Sequence, residues 1–177
     1  MKKILAFGAS SSRNSINKKL ATYAASQILD ADVTLLDLND FEMPIFSIDK
    51  EKENGVHELA QKFHNHIKAA DGILISFAEH NGSYSTAFKN IMDWTSRLEG
   101  SLWQDKPLFL MATSPGGRGG KTVLEAAVDR AGRMGGNVIA NFSLPSFKNN
   151  FSEESGITDT ALNADFQKQL FLFASNI

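Results

Sequence analysis

The chain has no cysteine. That absence excludes disulfides, thiolate metal sites, iron–sulfur clusters and thiol redox chemistry. Any redox role therefore falls to a bound cofactor or to a metal held by other ligands. A dominant charge is also missing, because 18 Lys and Arg stand against 20 Asp and Glu for a net charge of −2. Nothing in that balance gives a footprint for nucleic acid or anionic lipid. The strongly acidic surface of a small carrier that docks basic partners is absent as well. No apolar run approaches the roughly 20 residues of a membrane-spanning helix. The opening Met1-Lys2-Lys3 and Ile4–Ala9 faintly resembles a signal peptide. However, the apolar stretch is short, contains Gly8 and runs into Ser10-Ser11-Ser12-Arg13 without a small-residue cleavage pattern. A cytoplasmic protein with no nucleic-acid or membrane partner is expected.

What is there is an ordinary globular balance, with 42% hydrophobic and 21% charged residues in 177. One domain over residues 1–177 is the simplest organisation, since no repeat, linker or low-complexity tract interrupts it. Short β-type runs alternate with amphipathic stretches. Strands are predicted at Lys3–Phe7, Val33–Leu38, Gly72–Phe77, Pro107–Ala112 and Val138–Phe142. Helices are predicted at Ser15–Leu29, Val56–Ala70, Ser85–Leu98, Lys121–Met134 and Thr160–Ala174. The first, third and fourth strands are nearly unbroken apolar runs, the mark of parallel strands covered on both faces. This alternation predicts a doubly wound α/β sandwich. Its expected form is flavodoxin-like: a five-stranded parallel sheet in the order 2-1-3-4-5 with helices on both faces. Asn39–Asn54 and Ser143–Asp159 are left as long connections, the first carrying apolar residues suited to packing or to a subunit contact.

Ligands in such sheets bind at the carboxyl ends of the strands. The loops after strands 1, 3 and 4 are therefore the places to look. The first reads Gly8-Ala-Ser-Ser-Ser-Arg-Asn-Ser-Ile-Asn17 and enters a helix. A helix start offers free N–H groups and a positive dipole end to an anion. Ser10, Ser11, Ser12, Ser15 and Asn17 add side-chain donors, and Arg13 adds a charge-assisted contact. One glycine and many hydroxyls suit a monoester phosphate better than a dinucleotide's pyrophosphate. A serine-rich turn capped by Asn14 or Ser15 is the competing reading. The second loop, Ala78-Glu79-His80-Asn81-Gly82-Ser83-Tyr84-Ser85, permits a left-handed bend at Asn81-Gly82 and a helix cap at Ser83 or Ser85. The third, Thr113–Thr122, carries four glycines for close backbone approach to something flat or anionic.

Other chemistries fit less well. Gly120-Lys121-Thr122 invites a P-loop reading, but Pro115 occupies the position of the required first glycine. His57, His64 and His66 lack the acidic partners of a metal site and read as solvated helix residues. Trp94 and Trp103 read as packing or interface residues, and Asp93 and Arg97 as an i, i+4 pair. No Gly-x-Ser-x-Gly elbow supports a serine hydrolase.

Taken together, the three loops resemble those of the NAD(P)H-dependent FMN reductases, flavodoxin-like proteins that include quinone, azo-dye and chromate reductases. The Gly8–Asn17 loop is similar to the family's glycine-serine-x-arginine phosphate loop. Glu79-His80-Asn81, continuing to Lys89-Asn90 and Asp93-Trp94, is similar to its Pro-Glu-Tyr-Asn turn and following helix. Ser114–Gly120 matches its glycine-rich loop. Two positions depart: Ala78 stands for the family's proline and His80 for its tyrosine. The resemblance implies bound FMN, NAD(P)H as co-substrate and a small-molecule electron acceptor. It implies that Ser10, Ser12, Arg13, Ser15 and Asn17 hold the phosphate. The backbone of Glu79, His80, Asn81 and Gly82 would meet the ring edge, with Ser114, Gly116 and Gly117 on its other side. No side chain is then an obligatory acid or base, and His80 is a candidate proton-supplying group. A homodimer or homotetramer is implied through the helix Ser85–Arg97 and the loop Phe41–Ile48. The alternatives are an FMN-binding electron carrier and a flavodoxin-like binding domain without NAD(P)H activity.

Overall fold

The computed structural model describes every residue from Met1 to Ile177. Strands β1 (Lys2–Ala9), β2 (Ala31–Leu36), β3 (Gly72–Phe77), β4 (Pro107–Thr113) and β5 (Asn137–Leu144) form one parallel sheet, ordered β2-β1-β3-β4-β5. Helices α1 (Ile16–Ser26) and α7 (Thr160–Ala174) cover one face. Helices α3 (Glu58–Ala69), α4 (Thr86–Thr95) and α5 (Lys121–Arg133) cover the other. This is the expected three-layer sandwich.

The unbroken apolar strands follow from the two covered faces. In β1, Leu5, Phe7 and Ala9 point toward α3 and α4, whereas Ile4 and Ala6 point toward α1 and α7. Phe7 meets Phe63 edge-on at 5.5 Å, and Phe109 and Phe142 pack around Phe166 of α7. Each such ring stabilises the fold by about 1.5–3 kcal/mol relative to exposure. Polar caps set the helix starts. Ser15, Ser85 and Asp159 accept from the backbone of Lys18, Phe88 and Leu162.

Several boundaries move for local reasons. β2 ends at Leu36 rather than Leu38, because the Asp37 carboxylate accepts from Asn39 N and starts a 3-10 turn over Leu38–Phe41. The expected connection Asn39–Asn54 holds a further helix, α2 (Ile48–Asn54), capped by Ser47. Ser143–Asp159 likewise holds α6 (Phe147–Asn150) and an antiparallel pair, β6 (Phe151–Ser152) with β7 (Gly156–Ile157). Helix α1 stops at Ser26, which leaves Leu29 exposed. Helix α3 starts at Glu58 because His57 Nδ1 accepts from Leu59 N.

Candidate functional site

The loop after β1 sits directly on the first turn of α1. A side chain at Gly8 would fall 2.4 Å from Lys18 N, so only glycine lets helix and strand approach this closely. Within the loop, Ser10 Oγ accepts from Ser12 N at 3.1 Å, and Ser15 Oγ accepts from Lys18 N at 3.1 Å. Ser10 and Ser15 are buried, whereas Ser12 and Arg13 face solvent. The N–H groups of Ser11, Arg13, Asn14, Ile16 and Asn17 have no partner within the chain. Five free amides, four hydroxyls and an unpaired guanidinium thus gather at one helix start.

Asn17 does something different from the expected anion contact. Its side chain lies on the inner face of α1 and is buried. Its Oδ1 accepts from Ser76 Oγ at 2.7 Å and from Thr113 N at 3.0 Å, and its Nδ2 donates to Thr113 O at 3.1 Å. Both polar atoms are committed, and they tie α1 to the ends of β3 and β4. Residue identity alone does not separate a helix-start asparagine that reaches outward from one that reaches under the loop.

The loop after β3 makes the tight bend expected of Asn-Gly. Asn81 and Gly82 have φ of 51° and 73°, and His80 and Ser83 exchange backbone hydrogen bonds of 2.9 and 3.0 Å across them. His80 is exposed on this turn. Ser85, rather than Ser83, caps α4, and its hydroxyl donates to Ala9 O at 2.8 Å, joining this loop to the first. Glu79 turns its carboxylate to Val123 N at 2.9 Å, at the start of α5. Burial pushes the Tyr84 phenol up, opposed by the charge of Arg130.

The loop after β4 completes the rim. Ser114 Oγ donates to Gly116 O at 3.1 Å, and Gly116 O and Ser114 O accept from Ser146 N and Phe147 N. Added side chains at Gly116 and Gly117 would meet nothing within 4 Å, and neither residue has positive φ. The chain itself gives no reason for glycine there, and open space faces both.

Residues outside the rim position it. Asn90 accepts from Phe46 N and donates to Met43 O and Pro44 O, while Trp94 Nε1 donates to Pro44 O at 2.7 Å. The Lys89-Asn90 and Asp93-Trp94 motif thus staples the segment 43–46 onto α4, a role the sequence reading did not assign to Asn90. Asp93 pairs with Lys89, and Arg97 with Glu51, in place of the expected Asp93–Arg97 pair. His64 is buried, not solvated as expected, with Nε2 3.3 Å from Ser101 O, and burial pushes its pKa down. Trp94 and Trp103 are both core residues. Beside the rim, a cleft of about 820 Å³ opens between α5, α7 and the free edge of β5. No helix is long and apolar enough to cross a membrane.

Among known proteins, the chain is 35% identical over 108 residues to a 2-hydroxy-1,4-benzoquinone reductase of Burkholderia sp, covering 60% of this chain and 57% of that protein. It is 32% identical over 109 residues to a quinone reductase of Pseudomonas putida, covering 61% and 58%. These matches span less than three fifths of the length of either relative. The fold superposes on the flavoenzyme NAD(P)H:acceptor oxidoreductase FerB of Paracoccus denitrificans with a TM-score of 0.77 and 22% identity, covering 99% of this chain and 96% of that one. Residues 2–149, which carry all three rim loops, match the family described as NADPH-dependent FMN reductase, and the chain belongs to that family.

Proposed function

We propose that the protein is an FMN-dependent NAD(P)H oxidoreductase that reduces a small acceptor, a quinone or free flavin. The observation that carries this reading is the donor set at the start of α1. The free amides of Ser11, Arg13, Asn14, Ile16 and Asn17, with Ser10, Ser12, Ser15 and Arg13, fit an esterified phosphate in number and sign. The open space facing Gly116 and Gly117 suits a flat ring lying against bare backbone. FMN, when bound, supplies hydride exchange at its N5 between NAD(P)H and the acceptor.

The chain's own contribution is orientation. Arg13 and the serines fix the phosphate end. The backbone of Glu79, His80, Asn81 and Gly82 offers hydrogen bonds to the ring's polar edge, held in place by the tight Asn81–Gly82 turn. Ser114, Gly116 and Gly117 line the opposite side. The Asn17 side chain is a support of this set rather than a member of it, since its Oδ1 and Nδ2 are used internally and only its backbone amide is free. No side chain is required as an acid or base, and His80 is the exposed candidate to hold a proton for the acceptor. The names of the quinone reductase relatives support a quinone as acceptor. The reading includes cytoplasmic action and a homodimer or homotetramer. The oligomer is supported by Ile45, 69% exposed, and Ile48, 47% exposed, beside the segment that Asn90 and Trp94 hold rigid.

The test is anaerobic addition of NADPH or NADH to FMN-loaded protein while the visible flavin absorption is followed. Bleaching, reversed by a benzoquinone, is expected. A flavin spectrum untouched by either nucleotide would leave a binding protein and sink the enzyme.

A further inference from the structure

Helix α5 begins without a cap of its own. Its first flanking residue, Gly120, is left-handed at φ 70° and has no side chain to accept from the first turn. The missing acceptor arrives from the loop after β3, 44 positions away in sequence, as the Glu79 carboxylate on Val123 N at 2.9 Å. Gly82 of the same turn lies beside this junction. A side chain at Gly82 would come within 3.8 Å of Thr122 Cγ2, and Thr122 Oγ1 accepts from Arg118 Nη2 at 3.0 Å. The turn after β3 and the glycine-rich loop after β4 therefore meet at the first turn of α5, and Glu79 is the polar tie between them.

We propose that Glu79 is a positioning residue that fixes the spacing of these two loops before any cofactor arrives and sets a negative charge beside the ring site. The second half rests on the FMN reading, and the first does not. A carboxylate at a helix N-terminus is held by both the hydrogen bond and the dipole, so the tie is strong for a surface contact. A fixed negative charge beside a group that gains negative charge on reduction opposes that reduction.

The experiment compares wild type, Glu79→Ala and Glu79→Gln in two measurements. Amide exchange of Val123 in the apoprotein is expected to speed up on the order of tenfold in Glu79→Ala and to stay near wild type in Glu79→Gln, which keeps an acceptor. In the FMN-loaded protein, the midpoint potential of Glu79→Gln is expected to be more positive than that of wild type. Unchanged Val123 exchange in Glu79→Ala overturns the tie. An unchanged potential in Glu79→Gln, with exchange intact, overturns the electrostatic role. Should wild type take up no FMN, it is the cofactor reading that fails, and the exchange data still decide on the tie.

Discussion

Replacing Asn17 by alanine separates the scaffold from the ligand site. Asn17 is 3% exposed and makes three internal hydrogen bonds, to Ser76 Oγ, Thr113 N and Thr113 O. The Thr113 amide and carbonyl lose their side-chain partner in a buried place, and the buried Ser76 hydroxyl loses its acceptor. Each buried group left unpaired costs about 1–3 kcal/mol, so from the two Thr113 groups alone Asn17→Ala is expected to lose about 2–6 kcal/mol. For a chain of this length, about 1 kcal/mol lowers Tm by roughly 2–4 °C, which gives a fall of about 4–24 °C. Thermal and urea unfolding of the apoprotein measure this without any cofactor. FMN affinity should also fall, but only as a consequence of the loosened strand ends. The refuting result is an apoprotein of wild-type stability that has lost FMN binding, because Asn17 would then be a direct phosphate ligand.

Arg13→Ala has the opposite signature. Arg13 is exposed and has no internal partner, so stability should hold while FMN binding, followed by fluorescence quenching, weakens by about 1–3 kcal/mol; unchanged affinity would mean the phosphate lies elsewhere. Gly116→Ala adds a methyl into open space, so apoprotein unfolding should shift by less than about 0.5 kcal/mol while FMN binding weakens. Wild-type FMN affinity in that variant would show that the space is not ring space. His64 is held neutral, its pKa pushed below 6.5 by burial. The unfolded state therefore takes up the proton first, and stability is lost as pH falls through 6.5 toward the folded value. Urea midpoints at pH 8 and pH 5.5 should drop further for wild type than for His64→Gln, and equal drops would remove His64 from the acid sensitivity.

The fold was legible because its signals are redundant. β1, β3 and β4 are apolar without interruption, and each is followed by a polar loop and a helix period, so strand order and loop positions are constrained together. Short elements escaped. α2 and the β6–β7 pair lie in stretches too brief for periodicity, and they depend on local caps such as Ser47 and on packing such as Phe151 against Tyr23. At the site, Arg13 and the Asn81–Gly82 turn were readable because charge and left-handed backbone leave marks in residue type. The direction of a side chain does not. Asn17, Glu79 and His64 were identifiable as polar residues on the right elements, but each has its partners 37 or more positions away in sequence. Those partners exist only once the sheet has formed.

The bond from Glu79 to Val123 also bears on direction. Helices α1, α4 and α5 each begin at one of the three rim loops, and each start carries partial positive charge. At α5 that charge is already answered by a carboxylate of the chain itself. At α1 it is reinforced by Arg13 and five unpartnered amides. The rim therefore has a polarity. On the proposed reading, an elongated molecule with an anionic tail and a flat head would be drawn tail-first to the β1 end and repelled from the reverse placement, so the loops would act as a keyed socket that reads which way round its guest enters.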